Sequence, residues 1–220
     1  MSILADSKIL ERLLNHEDSF SIVPFSESNL GSNSYDVSLS NKLLVYKNDK
    51  LDCKVENETE ELLIPESGLT LYPNNLYLAC VNEFIDSSDL VPIIEGKSSL
   101  ARLGLFVHIT AGFGDVGYSG YFTLEVTCVK PIVIYPNMKI GQVYFQTTEG
   151  YCINPYNKKV DAKYNNKISQ PQGSKMHLNF FQEISKLEKQ TPEFTKNVDW
   201  YERLKDSGIS FDPEKLQEDV

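Results

Sequence analysis

The sequence predicts a mainly β protein, a sandwich or barrel such as a jelly roll, with a few short helices. Apolar and polar residues alternate over many short runs, which is typical of strands that bury one face. Glycine, proline and asparagine stand between these runs, where β-turns are expected. Helical spacing is confined to residues 6–16 and to the chain after residue 180, with space for one turn at 98–103. We therefore expect an all-β architecture.

The first part of the chain supplies a helix and the first strands. We predict an amphipathic helix at 6–16 and short strands at 21–25 and 35–39. Residues 48–61 are charged and nearly free of apolar side chains, so we expect an exposed loop or an edge hairpin, with strand residues resuming at 62–64. The helix would pack on the sheet through an apolar stripe of Ile9, Leu10, Leu13 and Leu14.

A Tyr-Pro-Asn sequence occurs twice, at residues 72–74 and 135–137. Proline favours the first central position of a β-turn, and each copy stands between two strand-like runs. We therefore predict two hairpins, one pairing 69–72 with 76–81 and the other pairing 132–135 with 140–146.

Length and composition indicate one globular domain with an appendage. The chain has 220 residues, of which 41% are hydrophobic, enough for a substantial core. We assign residues 1–180 to that domain and 181–220 to a helical extension, in which Trp200, Tyr201 and Leu204 would form an apolar patch that docks on the protein. No apolar run approaches the roughly 18 residues of a spanning helix, so we expect no membrane association.

Charge and cysteine usage restrict the partners and the compartment. A formal net charge of −10 disfavours non-specific binding to nucleic acid, which needs a broad basic surface. An anionic small ligand would need a local cluster such as Lys97 and Arg102. The widely spaced cysteines favour free thiols in a reducing cytoplasm over disulfides, and they are Cys53, Cys80, Cys128 and Cys152.

The candidate chemistry is concentrated in residues 95–104 and 112–125. The first segment joins Ser98 and Ser99 to two cations, which suits a polyanion, although a helix N-terminus with solvated charges is the alternative. The second contains a glycine-rich turn around Asp115, which by itself is an ordinary turn former. Glu125 lies in an apolar strand on the polar face, where an unpaired carboxylate is unfavourable unless it is used.

Other catalytic arrangements find less support. His108 lies in an apolar run, where a structural histidine is favoured over a catalytic one. The zinc-dependent base deaminases need a His or Cys two residues before a Glu, and then a Pro-Cys-x-x-Cys segment; this sequence contains neither. We therefore expect no zinc. Three histidines in the whole chain suggest no Ser-His-Asp order either.

These segments resemble the dCTP deaminases of the trimeric dUTPase superfamily. Residues 96–105 (GKSSLARLGL) are similar to the phosphate-binding segment of that family, and 110–120 (TAGFGDVGYSG) to its sugar-contacting turn. Residues 123–125 (TLE) match the strand with the catalytic glutamate. Further matches lie at 1–9, 34–37, 135–142, 155–157 and 161–164, so the resemblance covers about residues 1–180. It implies a distorted jelly-roll or barrel of the dUTPase-like type.

The chain departs from the family pattern at two places. Family members have an apolar residue followed by Asp-Pro-Gly where this chain has residues 114–117 (GDVG), which predicts a looser turn. The family glutamine that lies four residues after Lys163 is replaced by Lys167. We place Gln170 in the substrate-binding set, with Lys167 and Gln172 as the alternatives for the glutamine's role.

The resemblance implies hydrolytic deamination of dCTP to dUTP and ammonia. Glu125 would act as base and then as acid, Ser98 and the carbonyl of Ala111 would orient the water, and Arg102 would hold Glu125 or a phosphate. Asp115 would accept a hydrogen bond from the sugar 3′-hydroxyl. The implied substrate-binding residues are Lys97, Ser99, Ala111, Asp115, Thr123, Leu124, Tyr156, Lys163 and Gln170. Mg²⁺ would arrive on the nucleotide phosphates.

The same resemblance implies a homotrimer with sites between subunits, and it leaves other activities open. Some relatives also release pyrophosphate and form dUMP directly, with the aspartate of the Asp115 turn helping to activate a second water. A plain dUTPase is disfavoured because that branch has Ser-Gly at the position of Ser98 and Ser99. A non-catalytic nucleotide-binding regulator is disfavoured by the presence of both Asp115 and Glu125. dTTP is a candidate inhibitor.

Overall fold

A computed structural model of the chain describes residues 2–15, 19–165 and 167–180. The predicted helical extension at 181–220, with its patch around Trp200, lies outside these residues. Within the described ranges, no helix has both the length and the apolar character needed to cross a bilayer.

The described chain is mainly β, as predicted. The helices are α1 (Asp6–Leu14) and α2 (Ser98–Ala101), with short 3₁₀ turns at Glu27–Asn29 and Tyr156–Lys158. The strands are β1 (Phe20–Val23), β2 (Tyr35–Tyr46), β3 (Thr59–Leu63), β4 (Leu69–Leu71), β5 (Tyr77–Ser87), β6 (Val91–Gly96), β7 (Leu105–Val107), β8 (Tyr118–Cys128), β9 (Ile132–Ile134) and β10 (Lys139–Gln146).

Eight antiparallel strands form one nearly closed sheet. Its order is β6-β10-β2-β5-β8-β7, with β1 added to β5 and β3 added to β2. The two strands at the ends of this order, β6 and β7, lie close together. A bridge joins Ile93 of β6 to Phe113 in the segment that follows β7. An adjacent hydrogen bond runs from the Ile94 amide to the Gly112 carbonyl at 2.8 Å. The barrel-like architecture expected from the alternating pattern is therefore confirmed.

The predicted apolar stripes form the core. Tyr35, Val37 and Leu39 alternate along β2 and are fully buried inside the barrel. On α1, Ile9 is fully buried whereas Leu14 is 73% exposed, so the buried stripe of this helix is narrower than predicted. Residues 48–58 form a loop, and β3 then pairs with β2 as the predicted edge hairpin, with Lys42 opposite Leu63.

The two predicted Tyr-Pro-Asn hairpins are wrong. β4 pairs with β9 in a separate two-stranded sheet, in which Leu69 lies opposite Ile134 and Leu71 opposite Ile132. After each turn the chain leaves this small sheet and enters the main one as β5 or β10. Asn74 and Asn137 adopt positive φ values of 66° and 61°, which redirect the chain. The sequence repeat therefore reflects two equivalent crossings between sheets.

Candidate active site

Glu125 projects from the polar face of β8, as the alternation predicted. Leu124 and Val126 on either side are buried in the core, while the Glu125 side chain is 41% exposed. It lines a cavity of about 390 Å³. Ala111 and Thr123, both predicted substrate-binding residues, line the same cavity. The side chain of Leu124 faces the core, so only its backbone could meet a ligand.

His108 lies directly against Glu125. Its side chain is 4% exposed, its Nδ1 contacts Glu125 Oε2, and its amide donates to the Glu125 carbonyl at 3.0 Å. Neither imidazole nitrogen makes a well-aligned hydrogen bond with the described residues. His108 also adopts a φ of +47°, unusual for a residue other than glycine. The structural interpretation from sequence missed this proximity, which arises because β7 and β8 are neighbours.

Asp115 lines a second cavity of about 240 Å³. This cavity shares Tyr118, Phe122 and Tyr164 with the one that contains Glu125. Tyr118 and Phe122 stack on each other with ring centroids 4.4 Å apart, and burial raises the pKa of the Tyr118 hydroxyl. The wall shared by the two cavities is therefore aromatic, and the Tyr118 hydroxyl stays protonated. Two carboxylates thus open on adjoining cavities.

The turn around Asp115 is fixed by hydrogen bonds and is not loose, contrary to the expectation from its missing proline. The Gly117 amide donates to the Ser87 carbonyl at 3.0 Å, and the Tyr118 amide donates to the Asp115 carbonyl at 3.1 Å. The Tyr156 amide donates to the Val116 carbonyl at 2.7 Å. The turn is thereby held both by β5 and by the short 3₁₀ helix at Tyr156–Lys158.

Lys159 holds the Asp115 carboxylate, a contact that sequence reasoning missed. Its Nζ lies 2.8 Å from Asp115 Oδ2, and this hydrogen bond raises the pKa of Lys159. The same ammonium lies 5.8 Å from the centroid of the Tyr156 ring. Tyr156, a predicted nucleotide contact, lines the Asp115 cavity, and its hydroxyl accepts hydrogen bonds from the amides of Lys163 and Tyr164.

The segment after residue 160 lies over the Glu125 cavity. Tyr164, Gln172 and Ser174 line that cavity. The Gln172 amide donates to Thr123 Oγ1 at 3.1 Å, and the Ser174 amide donates to the Tyr46 hydroxyl at 2.9 Å. Lys163, predicted to meet phosphate, instead directs its Nζ to Asn179 Oδ1.

Gln172 is the glutamine that the structure brings to the cavity. Gln170, the residue assigned from sequence, is exposed and is not part of the cavity lining. Lys167 points elsewhere, donating to Ser119 Oγ at 2.5 Å and lying 4.8 Å from the centroid of the Phe84 ring. The three candidates therefore occupy three different environments.

The predicted phosphate segment stands apart from Glu125 in this chain. Ser98, Ser99 and Arg102 are exposed on and just after α2, and none of them lines either cavity. Lys97, expected to be available for phosphate, is paired with Asp36 of β2, whose other oxygen lies 3.1 Å from Lys139. The phosphate segment and the Glu125 cavity, which the sequence places in one site, are therefore separate within this chain.

Two further features bear on metal and redox chemistry. In the ranges given above, no three His, Cys, Asp or Glu side chains are grouped so that they could hold a metal ion. All four cysteines are free thiols, and burial raises the pKa of Cys80 to about 12.

The sequence of this chain is similar to a known protein family and to several of its members. The profile of the dCTP deaminase-like family matches residues 3–148. A protein of Clostridium botulinum (strain Alaska E43 / Type E3) named "dCTP deaminase, dUMP-forming" is 50% identical over 164 residues, which cover 74% of this chain and 91% of that protein. A protein of Clostridium beijerinckii with the same name is 49% identical over 170 residues, covering 77% and 94%.

A solved structure supports the fold independently. The 2′-deoxycytidine 5′-triphosphate deaminase from Agrobacterium tumefaciens superposes with a TM-score of 0.53 at 20% sequence identity. The match covers 66% of this chain and 48% of that chain, so the present chain corresponds to about half of the bacterial structure. The family profile spans all ten strands of the structure. The chain therefore belongs to the dCTP deaminase-like family.

Proposed function

We propose that this protein is a dUMP-forming dCTP deaminase, which hydrolyses both the exocyclic amine and the triphosphate of dCTP. The observation that carries the proposal is the pair of adjoining cavities, one with Glu125 and one with Asp115. The relatives named above as dUMP-forming favour this product. Sequence reasoning put dUTP first and dUMP second, and the names of the relatives favour the reverse order.

In the first step, Glu125 takes a proton from water, and the hydroxide adds to the ring carbon that carries the amine. The same carboxyl then protonates the ring nitrogen, and the tetrahedral intermediate expels ammonia to leave the uracil ring. Half-exposure of Glu125 supports this role, because a water can reach it while the aromatic wall holds the base. Ser98 and the carbonyl of Ala111 would orient the water.

In the second step, a water attacks the phosphoryl group next to the sugar and pyrophosphate leaves. Over both steps, one dCTP and two waters give dUMP, ammonia and pyrophosphate. Mg²⁺ would enter as part of the substrate, bound to the phosphates, and would neutralise the leaving pyrophosphate. Asp115 would hold the sugar hydroxyl and help to orient this water. We propose no zinc at any step.

A homotrimer would complete the site. Arg102 and Ser98 are exposed and do not line the cavity that contains Glu125, so a neighbouring subunit would supply them together with Lys97 and Ser99. Four large apolar side chains between residues 103 and 129 are exposed, and assembly would cover them. These side chains, with their exposed fractions, are Leu103 65%, Ile109 71%, Phe113 67% and Val129 58%. Burying these side chains between subunits would be favourable by roughly 25 cal/mol per Å² of apolar surface removed from water.

The test is to incubate the purified protein with dCTP and Mg²⁺ and to separate the products. We expect dUMP, ammonia and pyrophosphate. Accumulation of dUTP would reduce the function to deamination alone, and unchanged dCTP would refute the proposal in favour of a nucleotide-binding regulator. Parallel light scattering should give three times the mass of the chain, and added dTTP should inhibit. We also propose a cytoplasmic location, which the four free thiols support.

A further inference from the structure

Lys159 is bound to the Asp115 carboxylate from outside the cavity that Asp115 lines. Its Nζ is hydrogen-bonded to Asp115 Oδ2 at 2.8 Å, and both side chains are partly shielded, with exposed fractions of 33% and 45%. Among the described residues, no donor lies within hydrogen-bond distance of the second oxygen, Oδ1. Lys159 is not part of the cavity lining, whereas Asp115 is. The lysine therefore acts on the cavity only through the carboxylate.

The backbone next to Lys159 is hydrogen-bonded to the Asp115 turn. It follows the 3₁₀ helix at Tyr156–Lys158, whose first amide is bonded to the Val116 carbonyl of the Asp115 turn. The ammonium also lies 5.8 Å from the centroid of the Tyr156 ring, and this ring lines the same cavity as Asp115. These contacts fix the lysine relative to the carboxylate on both sides.

We propose that Lys159 is a positioning residue, which fixes the Asp115 carboxylate through Oδ2 and leaves Oδ1 as the acceptor for the 3′-hydroxyl of the nucleotide sugar. The inference rests on the proposed function. With Oδ2 held by the ammonium, the direction of the carboxylate is fixed, and its second oxygen, Oδ1, is left to accept a hydrogen bond. Lys159 thereby favours a sugar that presents a 3′-hydroxyl and disfavours one that lacks it.

The test compares two substrates, dCTP and 2′,3′-dideoxycytidine triphosphate, in Lys159→Gln, Lys159→Arg and Lys158→Gln. Lys158 is the matched control, because it is the lysine directly before Lys159, it ends the short helix, and it is exposed. In Lys159→Gln, we expect the ratio of kcat/KM for dCTP to that for the dideoxy substrate to fall by about tenfold, mainly through KM. Lys159→Arg and Lys158→Gln should retain the wild-type ratio within about twofold.

The substrate ratio is measured within one protein sample, so it does not depend on the fraction of folded protein. An equal loss on both substrates would overturn the inference, because the lysine would then serve the fold or the phosphates. An unchanged ratio in an active Lys159→Gln enzyme would overturn it as well. If the wild-type protein turned over neither substrate, the proposed function itself would fail, and the role of Lys159 with it.

Discussion

Replacing Gly117 by alanine tests whether the Asp115 turn and the 155–159 segment form one unit. Gly117 has a φ of +89°, and an added Cβ would lie 2.9 Å from the Tyr156 amide nitrogen and 3.0 Å from Pro155 Cβ. The backbone conformation alone costs an alanine roughly 1–2 kcal/mol. The collision is with the same amide that donates to the Val116 carbonyl, so relief requires that hydrogen bond to lengthen or break.

The expected loss can be worked from these contacts. A broken hydrogen bond that leaves its donor poorly satisfied costs about 1–2 kcal/mol, in addition to the cost of the positive φ. Gly117→Ala should therefore lower the unfolding free energy by about 2–4 kcal/mol. Gly150 is the matched control, because its φ is +84° and nothing lies within 4 Å of an added Cβ. Gly150→Ala should therefore lose only about 1–2 kcal/mol. The entropy effect of alanine on the unfolded chain is common to both variants.

Urea unfolding of the two variants and the wild type measures the difference. Activity supplies a second readout, because displacement of the 155–159 segment separates Lys159 from Asp115. We expect Gly117→Ala to lose dCTP turnover on the order of tenfold and Gly150→Ala to retain it. Equal destabilisation by the two substitutions would refute the argument, since it would mean that the contact with Tyr156 contributes nothing.

Three further predictions concern the carboxylates and the exposed arginine. Glu125→Gln should keep dCTP affinity within about tenfold and abolish deamination, because an amide cannot shuttle protons; weaker binding with turnover intact would contradict the assignment. Arg102→Ala should impair both binding and turnover of dCTP in the steady state, and full activity would mean that residues 96–102 do not hold phosphate. Burial raises the pKa of Glu83, which accepts hydrogen bonds from Ser38, above its ordinary value of 4.5. The native state therefore holds this proton more tightly than the unfolded state. As the pH rises from 4.5 towards 7, the unfolding free energy of the wild type should therefore fall relative to that of Glu83→Gln. If the two unfolding free energies changed with pH in parallel, this prediction would be refuted.

Sequence patterns correctly predicted those features in which the burial of a side chain depends on local periodicity. The alternation of β8 placed Glu125 on the polar face and Leu124 in the core, and the structure confirms both positions. The single helical turn predicted at 98–103 is confirmed as α2. These features follow from the repeat of the backbone itself, in which every second residue of a strand faces the same side. The resemblance to dCTP deaminases likewise rested on short contiguous motifs and is confirmed by the family match over residues 3–148.

Only the tertiary structure decided which strands and side chains meet. The pairing of β4 with β9 joins residues more than sixty positions apart, and no local pattern distinguishes it from two hairpins. The contacts of Lys159 with Asp115 and of Gln172 with Thr123 likewise depend on how the segment after residue 150 crosses the barrel. Lys97 was expected to be available for phosphate, but Asp36 of β2, a strand separated from β6 by β10, is paired with it. Charged side chains are paired by the packing of distant strands, because the energy of an ion pair depends on distance in space and not on separation along the chain.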